Sequence, residues 1–168
     1  MAEISLENIK RLRELTGAGV MECKRVLAET QGDTSKAVEI LRAKGLAKAE
    51  EKASRVATQG LIEAYIHAGG RIAALIEVNC ETDFVARTDA FKELAHNLAM
   101  QVAAMNPRYL SPEDVPPEDN VNPREACLLT QPFIKSPDVT IQDLIKQHIG
   151  ILGENVRIRR FCRFELGS

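Results

Sequence analysis

All seven prolines of this 168-residue chain fall between Pro107 and Pro137, and none interrupts the periodic segments on either side. Proline locks φ and lacks an N–H, so it ends helices and is kept out of central strands. The prolines therefore divide the chain into an ordered part, a linking part and a second ordered part. The length suits one compact domain or two small ones.

Before the prolines, residues 5–16 read as a helix capped by Ser5, with Ile9, Leu12 and Leu15 as its apolar stripe and Gly17 as its stop. A second helix over 19–30 carries Val20, Cys23, Val26 and Leu27 and halts at Gly32. Asp33 caps a third, with Ala37, Val38, Ile40 and Leu41, that ends near Gly45; Lys48 to Arg55 reads as a helical or mobile connector. Three helices in so short a stretch make a minimal bundle with a small core.

The period then changes. Ile62, Ala64 and Ile66, then Ile72, Ala74, Ile76 and Val78, alternate around Ala68-Gly69-Gly70, which predicts an antiparallel hairpin. Helical spacing returns over 83–105 through Val85, Phe91, Leu94, Leu98, Met100 and Val102, giving one long amphipathic helix over the sheet. Beyond the prolines, Val139 to Ile149 reads as a short helix with Thr140 as its cap. The last run reads as a strand with Val156, Ile158, Cys162, Phe164 and Leu166 on one face and Arg157, Arg159, Phe161, Arg163 and Glu165 on the other. Arg160 falls towards the apolar face, where it needs a carboxylate or the sheet edge. The expected fold is α+β: a three-helix bundle with its connector over 1–55, then a core over 56–168 in which an antiparallel sheet packs with helices, the proline-rich segment spanning 106–138.

Composition excludes more than it suggests. Lys and Arg total 22 against 24 Asp and Glu, so the formal charge of −2 supplies no unpaired positive field for nucleic acid or an anionic membrane. The four cysteines, at 23, 80, 127 and 162, form no Cys-x-x-Cys pair, which argues against zinc and for reduced thiols in a cytoplasmic protein. The start, MAEISLENIKRLREL, is charged and amphipathic, and no run reaches the ~20 apolar residues of a membrane span, so a soluble, unexported protein is expected. No phosphate loop, nucleophile elbow, His-Glu-x-x-His or dinucleotide fingerprint occurs, and Cys80 in an apolar strand reads as a small core residue. The chain does not look like an enzyme, and no cofactor is called for.

Two features remain. Arg157, Arg159 and Arg163, with Phe161 among them, form a basic and aromatic strip that suits a nucleic-acid strand, although a charged strand face also blunts a sheet edge. The segment Glu77-Val78-Asn79-Cys80-Glu81-Thr82-Asp83-Phe84-Val85-Ala86 lies at a strand-to-helix junction. Thr82 or Asp83 caps the helix there, and Phe84 either folds onto the core or projects from a rigid scaffold.

With Thr16-Gly17-Ala18-Gly19-Val20-Met21-Glu22-Cys23-Lys24, Glu77 to Val85, Gln131-Pro132-Phe133, Gly153-Glu154-Asn155-Val156-Arg157-Ile158-Arg159-Arg160 and Arg163-Phe164-Glu165 in that order, the chain resembles the elongation factor Ts family. The resemblance implies a guanine nucleotide exchange factor that binds elongation factor Tu with GDP and promotes GDP release, so that GTP rebinds during translation elongation. It implies that Asp83 and Phe84, flanked by Thr82 and Val85, form the tip that enters the partner, with Phe84 as an apolar wedge near the nucleotide's Mg²⁺ site. It further implies a ubiquitin-associated-like bundle that contacts the same domain through Arg13, Val20, Met21 and Lys24, and a core that holds the partner's third domain. Val20 stands where the family usually has methionine. Only one core subdomain is evident where longer members carry two, so pairing as a homodimer is expected, with Cys162 close to its counterpart. The competing readings are a peptide-binding adaptor acting through residues 1–50 alone and an RNA-binding protein acting through the arginine strand.

Overall fold

A computed structural model describes residues 5–168, so the first four residues of the charged start lie outside it. Three helices come first: α1 (Leu6–Thr16), α2 (Val20–Glu29) and α3 (Thr34–Lys52). Their starts follow from local chemistry. Ser5 Oγ accepts the Asn8 N–H at 3.1 Å and the Asp33 carboxylate accepts that of Lys36 at 3.1 Å, each satisfying a donor that the helix leaves free. Ile9, Leu12, Cys23, Val26, Leu27, Ala37 and Leu41 close into one apolar cluster. Leu15 and Val20, expected in the buried stripes, are 53% and 49% exposed. Each three-residue step rotates about 60° short of a full helical turn, so Leu15 drifts off the face set by Ile9 and Leu12. Val20 is the first residue of α2.

Gly45 does not end the third helix, which runs on to Lys52 and absorbs most of the expected connector. The glycine marks a crossing instead: a Cβ added to Gly150 would lie 3.1 Å from the Gly45 Cα. Beyond it, Ala49 joins a second, larger cluster, so a single helix serves both cores.

That second core lies under a three-stranded antiparallel sheet in the order β1 (Gln59–Ile66), β2 (Ile72–Cys80), β5 (Arg157–Glu165). The hairpin closes as expected, with Gly69 and Gly70 at φ +90° and +67°. Its first strand faces the other way from the expectation. Leu61 and Tyr65 pair with Val78 and Ala74 and join the core, whereas Ile62 and Ile66 are 65% and 68% exposed. Both alternations of β1 carry apolar residues, and only pairing with β2 decides between them.

The terminal strand departs likewise. Glu77 pairs with Arg160 and Val78 with Ile158, so an irregularity at Arg159 inserts one residue and inverts the alternation. Ile158 points to the core with Phe161 and Arg163, while Cys162 and Phe164 stand outward. The basic strip is thereby broken up. Arg163 donates to the Ala103 carbonyl at 2.9 Å, and Arg159 lies 3.5 Å from Glu77. Arg160 finds its carboxylate in Glu77, at 2.8 Å. Burial opposes the Glu77 charge, yet hydrogen bonds from Arg160 and Asn79, with Arg159 nearby, hold its carboxyl below the usual range.

The long helix expected over 83–105 is two: α4 (Asp83–Ala86) and α5 (Asp89–Met105). Thr88 makes the break, its hydroxyl donating to the Val85 carbonyl at 2.8 Å and accepting the Phe91 N–H at 3.3 Å. α5 then packs Phe91, Leu94, Leu98 and Val102 beneath the sheet. The proline-rich segment folds onto this core rather than linking parts of it. It forms α6 (Pro123–Ala126) and a small hairpin of β3 (Pro132–Phe133) and β4 (Ser136–Thr140), and it buries Cys127, Leu128 and Phe133. Thr140 caps α7 (Ile141–Leu152), which starts two residues after the expected Val139 because Val139 and Thr140 belong to β4.

Candidate partner-binding site

Phe84 is 78% exposed, whereas Phe91 at the next helix start is completely buried. Local geometry explains the difference. Thr82 is extended (φ −126°, ψ 155°), and its hydroxyl accepts the Val85 N–H at 3.4 Å, which starts a single helical turn. Within that turn Val85 packs against the core and Ala86 is buried. The remaining directions point Asp83 and Phe84 to solvent. Arg87 donates to the Asp83 carboxylate at 2.8 Å along the outer side of the turn.

The base of this turn is polar and tightly held. The Glu154 carboxylate accepts the N–H groups of Glu81 and Thr82 at 3.1 and 3.0 Å and the Thr82 hydroxyl at 2.6 Å. Cys80 lies buried directly below, its thiol donating to the Thr82 carbonyl at 3.1 Å. Burial, with Glu154 adding to it, pushes this thiol up to about 11, so it stays protonated and serves packing rather than nucleophilic chemistry. An exposed aromatic on a braced, single-turn projection is suited to insertion into another molecule.

The bundle residues Arg13, near the end of α1, and Val20, Met21 and Lys24, at the start of α2, flank the α1–α2 turn and are all exposed, with Met21 at 76%. The rest of that turn is structural. The Thr16 hydroxyl donates to the Leu12 carbonyl at 2.7 Å and accepts the Ala18 N–H at 3.3 Å. Gly17 adopts φ +64° and Gly19 is the N-cap of α2. Cys23 is buried, its thiol reaching the Ala18 carbonyl at 3.6 Å. Of the four residues expected at the tip, Phe84 is exposed and Asp83 half-exposed, whereas Thr82 and Val85 turn to the fold; the four bundle residues are exposed on separate elements.

The family described as Elongation factor TS matches residues 3–123. The chain is 50% identical to the elongation factor Ts of Carboxydothermus hydrogenoformans over 98% of its own length and 90% of the relative's. The chain belongs to the elongation factor Ts family.

The elongation factor Ts of Heliobacterium modesticaldum is 51% identical over 95% of this chain and 88% of its own length. That of Moorella thermoacetica is 50% identical over 98% and 96%. Sequence reasoning pointed to the tip of this elongation factor Ts family member through its junction position and motif, but it missed the bracing beneath. Glu81 and Glu154 stand in two of the stretches that carry the resemblance, but nothing in the sequence tells that they bond across to one another's backbone, and Arg87 carries no signal. Among the described residues no group of three or more His, Cys, Asp or Glu is placed to hold a metal, and no helix is long and apolar enough to cross a membrane.

Proposed function

We propose that this chain is a cytoplasmic guanine nucleotide exchange factor that binds elongation factor Tu with GDP, promotes GDP release and lets GTP refill the site. The observation that carries the reading is the 78% exposed Phe84 on the rigid α4 turn. Exchange of this kind needs no covalent catalysis. The factor binds the nucleotide-free GTPase more tightly than the loaded one, and the coupling is reciprocal: whatever factor it takes from GDP affinity, GDP takes from its own. Burying one phenylalanine supplies roughly 1.5–3 kcal/mol, about one to two decades. Contacts of Asp83 and Val85, and of Arg13, Val20, Met21 and Lys24 on the bundle, add the remainder. In this division of labour residues 1–55 and 56–168 act as two contact units. The test is Phe84→Ala, read by release of labelled GDP from elongation factor Tu alongside thermal unfolding. Exchange should fall by about one to two decades with the fold intact, and normal exchange by the folded variant would reject the reading.

The open sheet face supports a second proposal, that the chain pairs with its own copy. Ile62, Ile66, Leu75 and Phe164 are 65%, 68%, 42% and 66% exposed on one surface, far more apolar than a solvated sheet face requires. Twofold packing of this face on itself buries all four residues at once and sets Cys162, exposed among them, near its counterpart. Sedimentation of the parent and Phe164→Glu tests it: the parent should be dimeric and the variant monomeric.

A further inference from the structure

The loop Gly153–Asn155, between α7 and β5, reaches neither Phe84 nor the exposed bundle residues, yet it is bonded both to the base of the α4 turn and to the end of α3. Two glutamates cross over between this loop and the tip. Glu154 accepts the N–H groups of Glu81 and Thr82 and the Thr82 hydroxyl. In return, Glu81 accepts the Asn155 N–H at 2.6 Å. Asn155 is 3% exposed, and its side-chain amide donates to the carbonyls of Ala53 and Arg55, at 3.3 and 2.7 Å, just past the end of α3. The Lys52 ammonium, in the last turn of that helix, donates to the Gly153 carbonyl. The bundle's longest helix and the tip thus converge on three consecutive residues.

The chemistry at Glu154 separates positioning from simple stabilisation. All three of its hydrogen bonds go to Glu81 and Thr82, the two residues from which the tip projects, and its ion-pair partner among the described residues is none. A carboxylate bound to two successive N–H groups holds the two peptide planes that meet at the Glu81 Cα. That fixes the direction in which α4 leaves the strand. The Thr82 hydroxyl extends the chain one step further, donating to Glu154 while accepting the Val85 N–H.

We propose that Glu154 is the positioning residue of the exchange tip, setting the direction of Phe84 through the Glu81–Thr82 peptide without touching the partner. The proposal rests on the exchange reading. It predicts that Glu154 acts only through Phe84.

A double-mutant cycle tests it, using the full chain, elongation factor Tu and labelled GDP. Glu154→Ala should slow exchange about tenfold or more in the parent and less than about twofold in the Phe84→Ala background. Glu154→Gln keeps an oxygen for the two N–H groups and should restore exchange to within about threefold of the parent. Equal losses in both backgrounds, or no loss in the parent, overturn the proposal. If Phe84→Ala itself exchanges normally, the exchange reading fails instead. Amide hydrogen exchange at Thr82 gives a readout independent of the partner: Glu154→Ala should strip its protection while the α5 amides stay protected. Retained protection at Thr82 overturns the proposal even if Glu154→Ala lowers overall stability.

Discussion

Gly17 and Ile151 meet closely: a Cβ on Gly17 would lie 2.4 Å from Ile151 Cγ1, so the Ile151 side chain would have to shift, and Gly17 holds φ +64°. The α1–α2 turn is thereby seated directly on α7. Gly17→Ala combines left-handed strain of about 1–2 kcal/mol with overpacking of about 1–3 kcal/mol. It should lower the melting temperature by roughly 5–15 °C. Adding Ile151→Ala should recover the packing part alone, which differential scanning calorimetry of the pair will resolve.

The proline-rich segment depends on one polar side chain of α5. Gln101, wholly buried, donates to Gln131 Oε1 and the Pro132 carbonyl, each at 3.1 Å, and accepts the Ile134 N–H at 3.0 Å. Gln101→Leu strands these partners at about 1–3 kcal/mol each. Urea unfolding should report the loss, and limited proteolysis should cut between residues 106 and 138 faster than in the parent.

The four thiols should divide one to three. Cys162 is exposed, whereas burial raises the thiols of Cys23, Cys80 and Cys127 and shields them from reagents. Titration of the native protein with an aromatic disulfide should count one fast thiol, rising to four in denaturant. If the open sheet face pairs copies, that single reaction should slow as protein concentration rises.

His148 makes stability fall in mild acid. Burial lowers its pKa below the ordinary 6.5, against the opposing pull of its bond to the Leu144 carbonyl and of Glu93. The unfolded chain therefore takes up a proton that the folded chain refuses, and stability drops as pH falls below about 6.5. Above that pH both states are neutral and the contribution is flat. Replacing His148 with glutamine should flatten the slope of urea midpoint against pH between about 6.5 and 5.

Features written in neighbouring residues were legible. Ser5, Asp33 and Thr140 cap helices as read, and Gly17 ends one, because each effect spans three or four residues. The exposed Phe84 was legible as one of two alternatives at a strand end. What escaped depends on distant partners. The face of β1 is chosen by its pairing with β2, and the inversion at Arg159 has no local mark. Gly45 resembles a helix stop until α7 is seen crossing it. Glu154 grips Thr82 across 72 positions, a relationship that no window of periodicity contains.

Because α3 is a single helix from Thr34 to Lys52, its helical phase and the seat of Gly17 on Ile151 together set the angle between the bundle and the core. One residue inserted near Gly45 would turn everything upstream by about 100° and move it about 1.5 Å. The bundle would then present a different side while each half remained folded. α3 therefore acts as a protractor: its residue count tolerates substitution far better than it tolerates a change of length.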